Sequence, residues 1–124
     1  MLQLILHLIG DYITQTDYMA NNKTKSLPVA FLHAFVYTIP FILVTQSIIA
    51  LLVILISHAI IDRYRLARYV IFAKNYLNDR TLKWKDCNKT GYPSNRPEWL
   101  TVWLMIIADN TLHLTINFIA ISYM

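Results

Sequence analysis

The sequence predicts an all-α, polytopic membrane protein: a four-helix transmembrane bundle in a single domain, residues 1–124, with a basic amphipathic extension of the third helix. Three observations carry this. Hydrophobic residues make up 56% of the chain and charged residues only 15%, against about a quarter charged in soluble domains. No Lys, Arg, Asp or Glu occurs from Ala30 to Ser57, and Asp109 is the only one from Trp99 to Met124. Such runs exceed the ~18 residues that mark a membrane-spanning helix. The eleven basic residues fall in two places, Lys23 and Lys25, then Arg63 to Arg96, where they flank apolar segments.

The first helix is expected over about 2–20, ending at the polar "NNKTKS". Its strictly apolar part is about 11 residues, or ~17 Å at 1.5 Å per residue, so it spans only half a bilayer or lies tilted. The second is expected over about 26–45, with Ser26 as N-cap, Pro28 in the first turn and Pro40 as a kink. "TQS", Thr45 to Ser47, reads as a tight turn. The third helix is expected over about 48–77. Its later part sets Arg63, Arg65, Arg68 and Lys74 among Leu66, Tyr69, Val70, Ile71 and Phe72, as in a helix leaving the membrane along its surface. Residues 78–97 are polar, turn-rich and aperiodic, a loop. The fourth helix is expected over about 97–124.

An even number of spans separates the two basic regions, so they share one side. The positive-inside rule makes that side cytoplasmic and places both termini outside, in a bacterial inner membrane. "MLQLILHLIGDY" lacks a basic leader and a small-residue cleavage site, so no cleavable signal peptide is expected. A single cysteine, Cys87, excludes an internal disulfide and a cysteine-based metal cluster. The net charge of +4 is explained by membrane orientation, and nucleic acid is not an expected partner. The expected partners are the bilayer and its anionic headgroups, with a second copy or another membrane protein as further options.

All four histidines, His7, His33, His58 and His113, sit in apolar segments. Three have an aspartate four residues away, in the pairs His7/Asp11, His58/Asp62 and Asp109/His113, so each pair shares a helix face. Ionisable groups at such depth are costly and mark function. Unpaired carboxylates would protonate or repel one another there. A divalent cation neutralises them and accepts imidazole nitrogen as well as carboxylate oxygen. The ligand candidates are therefore His7, Asp11, His33, His58, Asp62, Asp109 and His113. Zn²⁺ suits them best, with Mn²⁺ or Fe²⁺ as alternatives. Seven candidates exceed the three or four ligands of one zinc, so either two ions bind or some residues stand behind the ligands. A proton path, or a buried polar clasp, uses the same residue types and remains open. Asp17 or Asp109 would be the general base. Arg63, Arg65 and Arg68 either anchor the chain at headgroups or hold a substrate phosphate.

"HLIGDYITQTDYMANNK" and "SHAIIDRYRLARYVIFAKN" resemble a family of small bacterial and phage membrane proteins of unknown function. The family opens with H-x-x-x-D-x-x-x-Q-T-D, matched by His7, Asp11, Gln15, Thr16 and Asp17. A middle H-x-x-x-D-x-x-R is matched by His58, Asp62 and Arg65, and a late D-Q-x-x-H by Asp109 and His113, with Asn110 in place of the glutamine. More distantly the chain is similar to inner-membrane metal-dependent hydrolases. That likeness implies metal-activated hydrolysis of a membrane-associated, phosphate-bearing substrate. The alternative is a non-enzymatic membrane protein, an ion or proton path or a phage effector acting on a host membrane complex.

Overall fold

The computed structural model describes all 124 residues, Met1–Met124. The chain is all-α: α1 (Leu2–Leu8, continued by a π-helical turn, Ile9–Ile13), α2 (Asp17–Asn22), α3 (Leu27–Thr38, continued by a 3₁₀ turn, Ile39–Leu43), α4 (Ile48–Tyr64), α5 (Leu66–Asn78), α6 (Trp84–Cys87) and α7 (Glu98–Tyr123). It divides into two compact units. One comprises residues 1–64 and 113–124; the other comprises residues 65–112.

In the first unit, α3 and α4 make the most extensive contact between helices. Leu6, Tyr37, Phe41, Ala50, Ile54 and Ala120 form its apolar core. Small residues at Ala50, Ala34 and Ala30, all fully buried, let these backbones approach closely. Ser47 caps α4, its Oγ accepting from Ala50 N at 3.3 Å and donating to the Met124 carbonyl at 2.8 Å. Pro40 has no N–H to give and crowds the preceding turn, and the backbone there tightens into the 3₁₀ segment.

In the second unit, α5 buries Ala67 and Ile71 and exposes Tyr69 and Val70. Trp84 stacks on Tyr69 with centroids 4.7 Å apart and meets Phe72 edge-on at 5.2 Å. Gly91 has φ +84°, and a Cβ there would fall 2.3 Å from the Arg68 carbonyl oxygen, so only glycine lets this loop close on α5.

The elements differ from the sequence expectation at four points, one of them the short helix α6, Trp84–Cys87, inside the stretch expected as a loop. The first helix does not run to residue 20. It ends in a wide turn, with Thr14 N–H bonded to Ile9 O at 2.9 Å, and α2 starts afresh under a Thr16 cap. Thr16 Oγ1 accepts from Met19 N at 3.3 Å, a competing local bond typical of threonine. The third helix is interrupted at Arg65, which takes a left-handed conformation, φ 51° and ψ 53°. Finally, one helix, Glu98–Tyr123, is long and apolar enough to cross a membrane, with mean hydropathy 1.5, where the sequence predicts a four-helix transmembrane bundle. Leu2–Ile13 and Leu27–Leu43 are apolar but shorter, and the 17 residues of α4 extend ~26 Å against ~30 Å of hydrocarbon.

Gly10 sets how closely α1 meets α3. A Cβ at Gly10 would lie 2.4 Å from Tyr37 Cδ2. Gly10→Ala should therefore cost about 1–3 kcal/mol of stability, the usual penalty for overpacking a close contact. Equilibrium unfolding in detergent, followed by circular dichroism, measures it.

Candidate metal centre

Four helices contribute two side chains each to the first unit, spaced four residues apart and hence on one face. α1 and its π turn supply His7 and Asp11, α3 supplies His33 and Tyr37, α4 supplies His58 and Asp62, and α7 supplies His113 and Asn117. All eight are buried, the two aspartates at 7% and 6% exposure and the four histidines at 1% or less.

Four donor atoms converge at the centre. His33 Nε2 and His58 Nε2 stand 3.0 Å apart. Asp11 Oδ1 lies 3.2 Å from His33 Nε2 and 3.3 Å from His58 Nε2. Asp62 Oδ2 lies 3.2 Å from each of the same two nitrogens. A tetrahedral ion with ligands at ~2.0–2.1 Å sets its donors ~3.3–3.4 Å apart. The five separations are thus close to the edges of a tetrahedron around a small divalent ion. Hydrogen bonding alone pairs these lone-pair carriers poorly, whereas a cation accepts all of them at once. Asp11, His33, His58 and Asp62 are buried groups that could hold a metal ion.

A second rank stands behind the two carboxylates. Asp11 turns its other oxygen, Oδ2, toward His7 Nε2 at 3.6 Å, and Asp62 turns Oδ1 toward His113 Nε2 at 3.4 Å. Each carboxylate therefore bridges the central imidazole pair and one outer histidine. Tyr37 ties the outer rank together, its hydroxyl 2.7 Å from His7 Nδ1 and accepting from Asn117 Nδ2 at 2.6 Å. A hydroxyl that accepts from Asn117 has its own proton to give, and His7 Nδ1 is in reach. With that hydroxyl donating to Nδ1, the His7 proton would sit on Nε2, facing Asp11. Such outer partners orient ligands and commonly matter nearly as much as the ligands do. The central rings lack a hydrogen bond at Nδ1, on both His33 and His58. Ring packing orients them instead: Tyr37 stacks on His58 with centroids 3.7 Å apart, and His113 lies 4.2 Å from His58.

The structure brings His7, Asp11, His33, His58, Asp62 and His113 together in the first unit. Asp109 belongs to the second unit, half-buried on α7 one turn before His113. Asp17 is exposed at the start of α2, its carboxylate accepting from Asn21 Nδ2 at 2.9 Å, and is not one of the buried group. The three arginines each engage a backbone carbonyl: Arg63 with Thr24 at 2.8 Å, Arg65 with Lys89 at 3.1 Å and Arg68 with Asn88 at 3.1 Å.

Three residues of the site escaped the sequence reading. Tyr37 and Asn117 stand four residues after His33 and His113, a spacing that could have found them had it been extended beyond aspartate. Lys23 carried no such signal. It follows α2, and its Nζ reaches Asp62 Oδ2 at 2.7 Å and His33 Nε2 at 3.2 Å.

The whole chain, residues 1–124, matches the model of a family described as "Protein of unknown function (DUF3307)". No curated protein and no solved structure matches it.

Tyr37→Phe removes one hydroxyl while keeping the ring stacked on His58. It leaves buried His7 and Asn117 groups without that partner, at an expected cost of about 1–3 kcal/mol. Thermal or denaturant unfolding of wild type and variant side by side reads the difference, with helix content unchanged.

Proposed function

We propose that this chain, which belongs to the DUF3307 family of proteins of unknown function, is a membrane-embedded metalloprotein that hydrolyses a membrane-associated, phospholipid-like substrate at the buried His/Asp centre. The observation that carries the reading is the set of donor separations of 3.0–3.3 Å among Asp11, His33, His58 and Asp62. Zinc suits two imidazoles and two carboxylates best, with manganese or iron as alternatives. A divalent ion held there would lower the pKa of an attached water toward ~7 and polarise the bond to be cleaved.

The chain's own residues supply the rest. Asp11 and Asp62 offset the charge of the ion. His7 and His113 hold those carboxylates from behind, and Tyr37 with Asn117 fixes the His7 ring. Membrane embedding is supported by α7 and by apolar side chains left exposed on the other helices, among them Ile5, Phe35, Ile39, Ile49 and Leu52. With the basic residues facing the cytoplasm, both termini lie outside, and a reporter fused after Met124 would be read from that side.

A proton path would use the same imidazoles and carboxylates, and metal content separates the two readings. Protein purified without chelator is expected to carry one divalent transition ion per chain by elemental analysis. Asp62→Asn should lower that occupancy by at least the roughly 10–100-fold that even outer partners of a metal site cost. Arg65→Ala should leave it unchanged, because that guanidinium holds the Lys89 carbonyl. Wild-type protein free of metal would end the metalloprotein reading.

A further inference from the structure

Lys23 is held at the centre with unusual care for a surface cation. Asn21 and Asn22 tie their side-chain amides back to the Asp17 and Tyr18 carbonyls, at 2.9 Å each, and stiffen α2. The turn after it is closed by Lys25 N and Ser26 N, both bonded to Asn22 O at 2.9 Å. Arg63, the residue after Asp62, donates to the Thr24 carbonyl at 2.8 Å. Consecutive residues of α4 thus grip consecutive residues of the turn: Asp62 takes Lys23, and Arg63 takes Thr24.

Charge decides what such a lysine is for. With neutral imidazoles, the two carboxylates balance a divalent ion, and the Lys23 ammonium adds one positive charge. A largely desolvated centre of net positive charge needs an anion. The ammonium also shares Asp62 Oδ2 with both central histidines, at 2.7 Å from Lys23 and 3.2 Å from each ring. An ion on that oxygen competes with the lysine for it. An ammonium has three N–H donors, and only two protein groups, Asp62 and His33, stand within reach of this one. At 17% side-chain exposure, Lys23 is the most accessible member of the cluster, where a ligand would enter.

We propose that Lys23 is the residue that selects and holds a phosphate group at the centre, with Arg63 as a positioning residue that fixes the Lys23 turn. The inference rests on the metal reading above and deepens it. The ligand is a phosphate carrying at least one negative oxygen, which takes the ammonium's free N–H while another oxygen faces the ion. That chemistry is shared by free phosphate and by the headgroup of an anionic phospholipid.

The test uses the full chain in detergent micelles, loaded with zinc, with zinc content measured by elemental analysis. Calorimetric titration is run with orthophosphate and, separately, with short-chain phosphatidic acid, using short-chain diacylglycerol, which carries no phosphate, as the control. Lys23→Met should weaken phosphate binding about tenfold to a hundredfold, the worth of one charge-assisted hydrogen bond, with zinc content unchanged. Lys23→Arg should retain most of the binding. A loss seen with both ligands points to free phosphate, and a loss confined to phosphatidic acid points to the headgroup; either supports the role. Unchanged binding of both orthophosphate and phosphatidic acid in a zinc-loaded Lys23→Met protein overturns it. Loss of zinc from that variant overturns it too, by making Lys23 a support of the ion's ligands. A wild type that takes up no zinc removes the metal reading itself, which the zinc measurement reports independently of the titrations.

Discussion

Two carboxylates, Asp11 and Asp62, are almost withdrawn from solvent among helices whose remaining faces are apolar. Removing a charge from water costs several kcal/mol even after the protein relaxes around it. The first unit is arranged around offsetting that cost. Each carboxylate splits its two oxygens between the central His33/His58 pair and an outer histidine, so neither oxygen is left facing apolar side chains alone. The same arrangement leaves four donors pointing at one small volume. A cation there would satisfy the carboxylates that the bundle otherwise pairs only with imidazole and ammonium, and its binding would then depend on the same atoms as stability.

Tyr37 links this polar centre to the apolar core. Its ring packs with Phe41 at 5.2 Å between centroids, belongs to the cluster of Leu6 and Ile54, and stacks on His58. Its hydroxyl meanwhile joins His7 to Asn117. Gly10 is what allows the ring so near α1, and the π turn that starts beside Gly10 carries Asp11 into the centre. π turns insert one residue into a helix and recur at functional sites, because the extra residue re-aims side chains that a regular helix would direct elsewhere. Here the turn lets a helix of only three turns serve both the core and the site.

The second unit has a different character. Its side chains hold loop carbonyls: Arg65 binds Lys89 O, Arg68 binds Asn88 O and Asn75 binds Gly91 O at 3.2 Å. Arg68 also lies 4.9 Å over the Tyr69 ring and 5.6 Å over Trp84. Burial and the neighbouring Arg68 push the Arg65 guanidinium below its ordinary value, while Asp109 acts in the opposite sense. The basic residues that composition assigns to a membrane surface thus have a second use, ordering a segment whose sequence is too polar and turn-rich to order itself.

The sequence by itself determined the helical class, the apolar faces and most of the centre, since ligands on four-residue spacing are visible wherever polar residues interrupt an apolar run. His7, Asp11, His58, Asp62 and His113 were legible for that reason, and His33 as a lone histidine in an apolar segment. The break at Arg65 was not legible, because no glycine or proline marks it and the apolar pattern of "LARYVIFAK" continues the helix across it. A left-handed arginine persists only where other contacts hold it, here with the Lys89 carbonyl and the Met105 sulfur at 3.7 Å. Nor does spacing say which of these six histidine and aspartate side chains face one another and which stand behind. That ranking depends on helix packing at the scale of a single Cβ, as between Gly10 and Tyr37. Lys23 was invisible for the most basic reason: nothing local separates a lysine in a polar turn from any other. Only the tertiary structure, by setting Arg63 on the Thr24 carbonyl and Asp62 under the ammonium, decides that this one closes the site.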